Sequence, residues 1–187
     1  MNDPAAPPTA PLGIFGGTFD PIHYGHLRTA FELRQALKLA EVRFLPTGNP
    51  PHRDHTTADA EQRLAMVRAA VADQKGFVVD DREVRRTGVS YSVDTLTELR
   101  AEHPHRSLCL LLGMDAFLGL PHWHRWQEIL SLAHVVVAHR PGWKAPTQGP
   151  LGEVMVDRGT GSIRDLHGAP AGRIYVHAVT QLSLIHI

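Results

Sequence analysis

The chain has 187 residues, enough for one compact domain with a sizeable core but too few for a second large domain. Hydrophobic residues make up 43% and charged residues 20%, which is an ordinary globular composition. Nineteen basic residues balance nineteen acidic ones, so no overall field favours nucleic acid or an anionic membrane. Any anionic ligand must therefore be held by a local site.

Residues 1–11 are rich in Pro and Ala and are expected to form a disordered lead-in, not a signal peptide. No segment approaches the ~18 continuous apolar residues that a membrane helix needs. The single cysteine, Cys109, excludes an internal disulfide and lies in an apolar run that predicts a buried, inert thiol. We therefore expect a cytoplasmic protein with neither a membrane nor a nucleic acid as partner.

Short apolar runs alternate along the chain with segments of helical periodicity. Strands are expected at Leu12 to Phe15, Val42 to Leu45, Phe77 to Val79, Leu108 to Leu112, His134 to Ala138 and Ile174 to Val176. Helices are expected over Gly25 to Leu39 and around Leu64 to Val71, Val93 to Leu99 and Trp126 to Leu130. This alternation predicts an α/β domain over residues 12–187, with a parallel sheet covered on both faces. Residues 141–170 show no clear periodicity and are expected to form a surface excursion within it.

The loop after the first strand carries the strongest signal. It reads Gly16-Gly17-Thr18-Phe19-Asp20-Pro21-Ile22-His23-Tyr24-Gly25-His26 and leads into a helix. Glycines let backbone N–H groups approach a phosphate, and a helix start adds unpaired donors and a positive dipole end. His23 and His26 can donate hydrogen bonds to phosphate oxygens, and Gly25 lacks the side chain that would otherwise crowd the pocket. A plain turn, a surface histidine pair or half of a metal site are the alternatives, but no third ligand or Cys is nearby.

The whole string resembles the signature of the nucleotidylyltransferase superfamily, whose members transfer a nucleoside monophosphate from a triphosphate. The resemblance implies a Rossmann-like, doubly wound parallel sheet. The superfamily includes enzymes for phosphopantetheine, FMN, glycerol phosphate and pyridine nucleotides. Four further segments resemble the nicotinate-nucleotide adenylyltransferases: Leu45 to Arg53, Val89 to Leu96, Leu112 to Asp115 with Leu120 to Trp126, and Ala138 to Gly142. The resemblance covers about Leu12 to Val179.

The resemblance implies a site for each of two substrates, ATP and nicotinate mononucleotide. The implied catalytic residues are His23 and His26, and the implied ATP-binding residues are Gly16, Gly17, Thr18, Phe19, Gly25, Gly113, Asp115 and Arg140. Asp115, closing an apolar strand, would accept ribose hydroxyls. The implied mononucleotide-binding residues are Gly48, His52, Arg53, Tyr91, Ser92, Trp123 and His124.

Physical chemistry gives several of these residues a role, and a plain structural alternative to each. Trp123 offers an aromatic face to a nicotinate ring, and Tyr91 and Ser92 offer donors to the ring carboxylate. Trp123 could equally belong to the core, Ser92 could cap its helix, and His52 with Arg53 could form a solvated turn.

The implied reaction is in-line attack of the mononucleotide phosphate on the α-phosphorus of ATP, with Mg²⁺ bridging the triphosphate oxygens. A monomer or a homodimer is expected. The alternatives are a nicotinamide-mononucleotide or phosphopantetheine adenylyltransferase, or a nucleotide-binding chain without turnover. Family members usually continue past the last strand with an Ile-Ser-x-Thr-x-Ile-Arg segment that opens a helix. Residues 178–187 do not match it, which predicts that these donors and that helix are missing.

Overall fold

The computed structural model describes residues 10–49 and 56–179. The predicted lead-in up to residue 9, the candidate residues His52 and Arg53, and the mismatch with the family at residues 180–187 lie outside that part of the chain. Its strands are β1 Leu12–Gly17, β2 Glu41–Pro46, β3 Phe77–Val79, β4 Leu108–Gly113, β5 His134–His139, β6 Gly159–Thr160 and β7 Ile174–Ala178. They form one seven-stranded sheet in the order β3-β2-β1-β4-β5-β7-β6. Every neighbouring pair in this sheet is parallel.

The helices lie between and after the strands. They are α1 Tyr24–Ala36, α2 Ala60–Val71, α3 Arg82–Arg85, α4 Ser92–Glu102, α5 Met114–Gly119, α6 Trp126–Leu132, α7 Gly149–Arg158 and α8 Ile163–Gly168, with a 3₁₀ turn at Leu120–His122. In residues 10–49 and 56–179 we find no helix with the length and apolar character needed to cross a membrane.

The sheet is buried on both faces, as the continuous apolar strands predict. In β4, Leu108, Leu110 and Leu112 face one core, while Cys109 and Leu111 face the other. Helices α4 to α7 cover the first face and α1, α2 and α8 cover the second. This is a Rossmann-like, doubly wound α/β fold, and the prediction of fold class is confirmed. Cys109 is fully buried, and burial raises the pKa of its thiol to about 12, as expected of an inert cysteine.

The strand order reverses between β1 and β4. From β1 the chain builds outward through β2 to β3, whereas the later strands extend from β4 in the opposite direction. The two crossovers leave a crevice at the carboxyl ends of β1 and β4, where ligands of such sheets bind. The predicted glycine loop follows β1, and Gly113 ends β4, so both lie beside this crevice.

Some element boundaries differ from those predicted. Strand β1 extends to Gly17, because the glycines continue the parallel pairing up to Pro46. Helix α1 ends at Ala36, where Lys38 adopts a positive φ of 53° and the N–H of Leu39 donates to the carbonyl of Arg34. These contacts stop the helix although the apolar periodicity continues to residue 39.

Residues 141–170 contain more structure than the predicted surface excursion. The segment holds α7, β6 and α8, and β6 pairs with β7 at the edge of the sheet. Leu151 and Leu166 are both buried, one in each core. Helix α7 begins with Gly149 and Pro150, and α8 has only six residues, so neither gives a clear periodic signal.

His134 begins β5 with its ring fully buried. Its Nδ1 accepts a hydrogen bond from the N–H of Arg173 at 3.0 Å, and its Nε2 lies 2.9 Å from the carbonyl oxygen of Ala169. The ring is therefore neutral with its proton on Nε2, and burial is the main cause that lowers the pKa of His134.

We expect His134 to make the fold sensitive to acid. In the unfolded chain this histidine takes up a proton near pH 6.5, whereas the buried ring of the folded protein stays neutral at that pH. The contribution of the neutral ring to stability is therefore complete above pH 6.5 and is lost as the pH falls below it. A His134→Leu variant should lose about 1–3 kcal/mol at pH 7.5 and show a smaller further loss at pH 5.5. Urea unfolding at both values measures this. The exposed His105, replaced by Gln, is the control, and an equal acid loss in all three proteins would contradict the prediction.

Candidate active site

A cavity of about 290 Å³ opens at the carboxyl ends of β1 and β4. Its wall brings together eight of the residues singled out from the sequence, namely Gly16, Gly17, Thr18, Gly113, Tyr91, Ser92, Trp123 and His124. The glycine loop and the aromatic pocket formed by Tyr91, Trp123 and His124 are therefore two sides of one space. Phe19, His23, Gly25, His26, Gly48, Asp115 and Arg140 lie outside the lining of this cavity.

The two histidines cap α1 with their own side chains. His23 is the N-cap residue, and its Nδ1 accepts a hydrogen bond from the N–H of Gly25 at 3.1 Å. The N–H of His23 in turn donates to Nδ1 of His26 at 3.2 Å, which completes a capping box. A ring nitrogen that accepts carries no proton, so each neutral ring has its proton on Nε2. Both rings therefore offer an Nε2–H donor at the start of a helix.

The His26 ring is held between aromatic neighbours. It stacks on His23 with a centroid distance of 3.8 Å and meets the Phe19 ring edge-on at 5.2 Å. Burial, together with the nearby His23 ring, lowers the pKa of His26 to about 4. His26 is thus a neutral hydrogen-bond donor at physiological pH.

Two of the loop glycines have an identifiable steric role. A Cβ on Gly25 would lie 3.0 Å from the His23 ring, so glycine allows that ring to fold over the helix start. A Cβ on Gly17 would lie 3.1 Å from the Phe19 ring, which is 3% exposed and packs in the core. Phe19 anchors the loop through its buried ring, and its backbone adopts a positive φ of 48°.

The start of α4 forms the opposite side of the cavity. Tyr91 is the N-cap residue but makes no side-chain cap bond, and its ring lies 4.4 Å from that of His124. Ser92 is the first helical residue, so the alternative that it caps the helix is wrong. Trp123 is half-buried, packs against the core and also lines the cavity.

Two of the implied ATP residues are exposed at the rim. Asp115 does not close β4 as predicted, because that strand ends at Gly113 and Asp115 lies in the first turn of α5. Arg140 follows β5, the neighbour of β4 in the sheet, with its side chain in solvent. Both are close in the fold to the carboxyl edge but are not part of the cavity wall.

The sequence did not reveal two buried charged residues beside this cavity. Glu83 lines the wall at 7% exposure, accepts a hydrogen bond from the Thr95 hydroxyl at 2.7 Å, and has its pKa raised by burial. Arg63, at 1% exposure, donates to backbone carbonyls behind the loops. Arg63 could have been found from the sequence, because it is a charged residue on the apolar helix face that carries Leu64 and Val67. Glu83 could not, because its helix is too short to show periodicity.

Gly48 is a position where the structure requires glycine. A Cβ there would overlap the carbonyl oxygen of Glu83 and reach 3.1 Å from the Cα of Val84, both of which are backbone atoms. We expect Gly48→Ala to cost about 1–3 kcal/mol of unfolding free energy, because the loop must shift away from α3. Urea unfolding measures the loss. Gly161→Ala, which has open space around its Cβ, is the matched control and should change stability by less than ~0.5 kcal/mol. Equal effects of the two substitutions would contradict this role of Gly48.

Comparison with known proteins agrees with this architecture. The family model described as cytidylyltransferase-like matches residues 14–176. The solved structure of Plasmodium falciparum nicotinic acid mononucleotide adenylyltransferase complexed with NaAD superposes with a TM-score of 0.70. That match covers 94% of this chain and 78% of the other at 17% identity, and so supports the fold alone. The fold and the family match together define a nucleotidyltransferase of the cytidylyltransferase-like class.

Sequence relatives narrow the class further. A protein of Aeromonas hydrophila is 54% identical over 166 residues, which are 89% of this chain and 78% of that protein. A protein of Methylococcus capsulatus is 48% identical over 174 residues, which are 92% and 83% of the two chains. Both relatives are named "Probable nicotinate-nucleotide adenylyltransferase". The chain belongs to the nicotinate-nucleotide adenylyltransferase family.

Proposed function

We propose that this protein transfers the adenylyl group of ATP to nicotinate mononucleotide, forming nicotinate adenine dinucleotide and pyrophosphate for NAD synthesis. The observation that carries the proposal is the single cavity that joins the glycine loop of β1 to the aromatic pocket of Tyr91 and Trp123. A phosphate-binding loop suits the triphosphate, and a pocket with aromatic walls suits a planar ring. The names of the sequence relatives support the same reaction.

The triphosphate would lie along the start of α1. Backbone N–H groups of Gly17 to Phe19 and the Nε2–H groups of His23 and His26 are the proposed donors to its oxygens. Gly16 and Gly25 leave space for the backbone and the rings, and Gly113, Asp115 and Arg140 would serve the nucleoside at the ends of β4 and β5. Asp115 and Arg140 must then approach from the rim, since neither lines the cavity.

The mononucleotide would occupy the other side. Trp123 would stack on the nicotinate ring, and N–H groups at the start of α4, with Tyr91 and Ser92, would bind the ring carboxylate. His124 supports the Tyr91 ring by its 4.4 Å contact. We propose that Gly48, His52 and Arg53 serve the mononucleotide phosphate, and of these only Gly48 lies in the described part of the chain.

The chemistry needs little from the protein beyond position. An oxygen of the mononucleotide phosphate attacks the α-phosphorus of ATP, and the bond from that phosphorus to the bridging oxygen of pyrophosphate breaks. A phosphate monoester has a second pKa near 6, so the attacking group is largely ionised at neutral pH and no general base is required. The imidazole N–H donors and the helix start stabilise charge that builds on the triphosphate oxygens.

A divalent cation would enter as part of the ATP complex, and we propose Mg²⁺. Residues 10–49 and 56–179 hold no group of three or more His, Cys, Asp or Glu side chains that could bind a metal by themselves. Triphosphate oxygens are therefore its main proposed ligands.

Pyrophosphate release from ATP and Mg²⁺ tests the proposal, with nicotinate mononucleotide as acceptor and phosphopantetheine or no acceptor as controls. We expect release only in the mixture that contains nicotinate mononucleotide. Release with phosphopantetheine would contradict the proposal that nicotinate mononucleotide is the acceptor. Thermal stabilisation by ATP with no release in any mixture would indicate a nucleotide-binding protein without turnover.

A further inference from the structure

Arg63 joins three separate segments behind the cavity. It lies near the start of α2 and donates from Nη1 to the carbonyl of Thr18 at 2.6 Å, from Nη2 to that of Gly48 at 3.1 Å, and from Nε to that of Ala58 at 3.3 Å. Thr18 belongs to the glycine loop and Gly48 to the loop after β2. One guanidinium therefore fixes the spacing between a loop on the triphosphate side and a loop on the mononucleotide side.

Asp20 links the glycine loop to the segment just before α2. Its carboxylate accepts hydrogen bonds from the N–H of Thr57 at 2.6 Å and the N–H of Ala58 at 3.0 Å. The glycine loop is thus tied to the start of α2 by the Thr18 carbonyl, which accepts from Arg63, and by the N–H groups of Thr57 and Ala58, which donate to Asp20. Charge-assisted hydrogen bonds of this kind are stronger than neutral ones, so a change in one segment is transmitted to the other.

The Gly48 segment continues the connection to the aromatic pocket. Gly48 packs directly on the Glu83 backbone, and the N–H of Ser90 donates to the carbonyl of Asn49 at 3.2 Å. Ser90 precedes Tyr91, the N-cap residue of α4. An unbroken chain of contacts therefore runs from Thr18 through Arg63 and Gly48 to the pocket.

We propose that Arg63 is a positioning residue that couples the two substrate sites, so that each substrate binds more tightly when the other is present. This inference rests on the proposed function. A ligand that orders the glycine loop also fixes the carbonyl of Thr18, and through the rigid guanidinium it fixes the carbonyl of Gly48. The second ligand then meets a loop that is already ordered.

A purely structural arginine provides the matched control. Arg100 donates to the carbonyls of Leu132 at 2.6 Å, Arg106 at 2.7 Å and Pro170 at 2.7 Å, which lie at the amino ends of β4 and β5. It therefore makes the same kind of contact at the edge of the sheet opposite the cavity. Arg63→Lys and Arg100→Lys both replace a planar fork with a compact ammonium that cannot reach three carbonyls in one plane.

Calorimetry should measure binding of an ATP analogue with a methylene group between the α- and β-phosphorus, with and without saturating nicotinate mononucleotide. In the unchanged protein we expect the mononucleotide to tighten analogue binding by at least about fivefold. Arg63→Lys should reduce that factor to below about twofold, whereas Arg100→Lys should keep it despite a similar loss of stability. Asp20→Asn weakens the bond between the glycine loop and the segment just before α2, the helix that carries Arg63. It should lower the factor too, and it is the variant to measure if Arg63→Lys fails to fold.

An unchanged factor in the folded Arg63→Lys protein, or in Asp20→Asn if that protein must serve instead, would overturn the proposal. A factor near one in the unchanged protein would do the same. A failure of the proposed function looks different: the unchanged protein would not bind nicotinate mononucleotide at all, and both conclusions would fall. If both substrates bind and react but neither changes the affinity for the other, only the proposed role of Arg63 is contradicted, and the proposed function stands.

Discussion

Replacing His26 with alanine is expected to lower kcat by about 100- to 1,000-fold while the protein stays folded. The substitution removes an Nε2–H donor that is neutral, held by Phe19 and His23, and placed at the start of α1. Such a donor stabilises the charge on the triphosphate oxygens more in the transition state than in the ground state. Steady-state pyrophosphate release gives kcat, and urea unfolding gives the stability.

His26→Gln separates the chemical role of His26 from its role in the helix cap. Glutamine at the third helical position is a natural capping-box residue, and its amide oxygen can accept the N–H of His23 as Nδ1 does now. We expect this variant to recover stability but not full turnover. Near-normal kcat in His26→Ala would contradict the role of His26. Because the pKa of His26 in the ligand-free protein is lowered to about 4, protonation of this ring should affect kcat/KM only as the pH approaches 4, not near 6.5.

Trp123→Ala is expected to raise KM for nicotinate mononucleotide by about 10- to 100-fold, with a much smaller effect on KM for ATP. Stacking of a planar heterocycle on an aromatic side chain contributes about 1–3 kcal/mol, and 1.4 kcal/mol is a factor of ten in affinity. Trp123 also packs against the core, so this variant should lose stability as well.

Trp123→Phe is the matched variant because it keeps an aromatic face and most of the core contact. It should restore KM for nicotinate mononucleotide to within about tenfold of the unchanged protein. Equal increases in KM for ATP and for the mononucleotide would show that Trp123 only supports the fold. An unchanged KM for the mononucleotide in Trp123→Ala would show that the nicotinate ring does not stack on Trp123.

The strongest sequence signals concern backbone patterns that leave little choice of structure. A run such as Leu108 to Leu112, apolar at every position, fits a strand buried on both faces, and the structure has it in β4. The glycine loop follows β1, and its order of strand, loop and helix was readable because glycine and helix-start chemistry are local. The sequence alone therefore predicts the edge of the sheet at which the cavity lies.

The parts that the sequence did not predict depend on distant contacts. The contacts of Arg63 join Thr18 and Gly48, which lie 45 and 15 residues away along the chain, so no local pattern indicates them. The capping box of His23 and His26 was also unexpected, since Ser, Thr, Asp and Asn are the usual N-cap residues. The prediction that Asp115 closes β4 was wrong because a short helix begins directly after that strand and includes Asp115.

The most direct test of the proposed activity compares kcat/KM for nicotinate mononucleotide with kcat/KM for nicotinamide mononucleotide in the same preparation. The two acceptors differ in the ring substituent, a carboxylate in one and an uncharged amide in the other. N–H donors at the start of α4 favour the anion, so we expect a preference of about 100-fold or more for the nicotinate compound. Equal values, or a preference for the amide, would contradict a carboxylate-binding pocket between Tyr91 and Trp123.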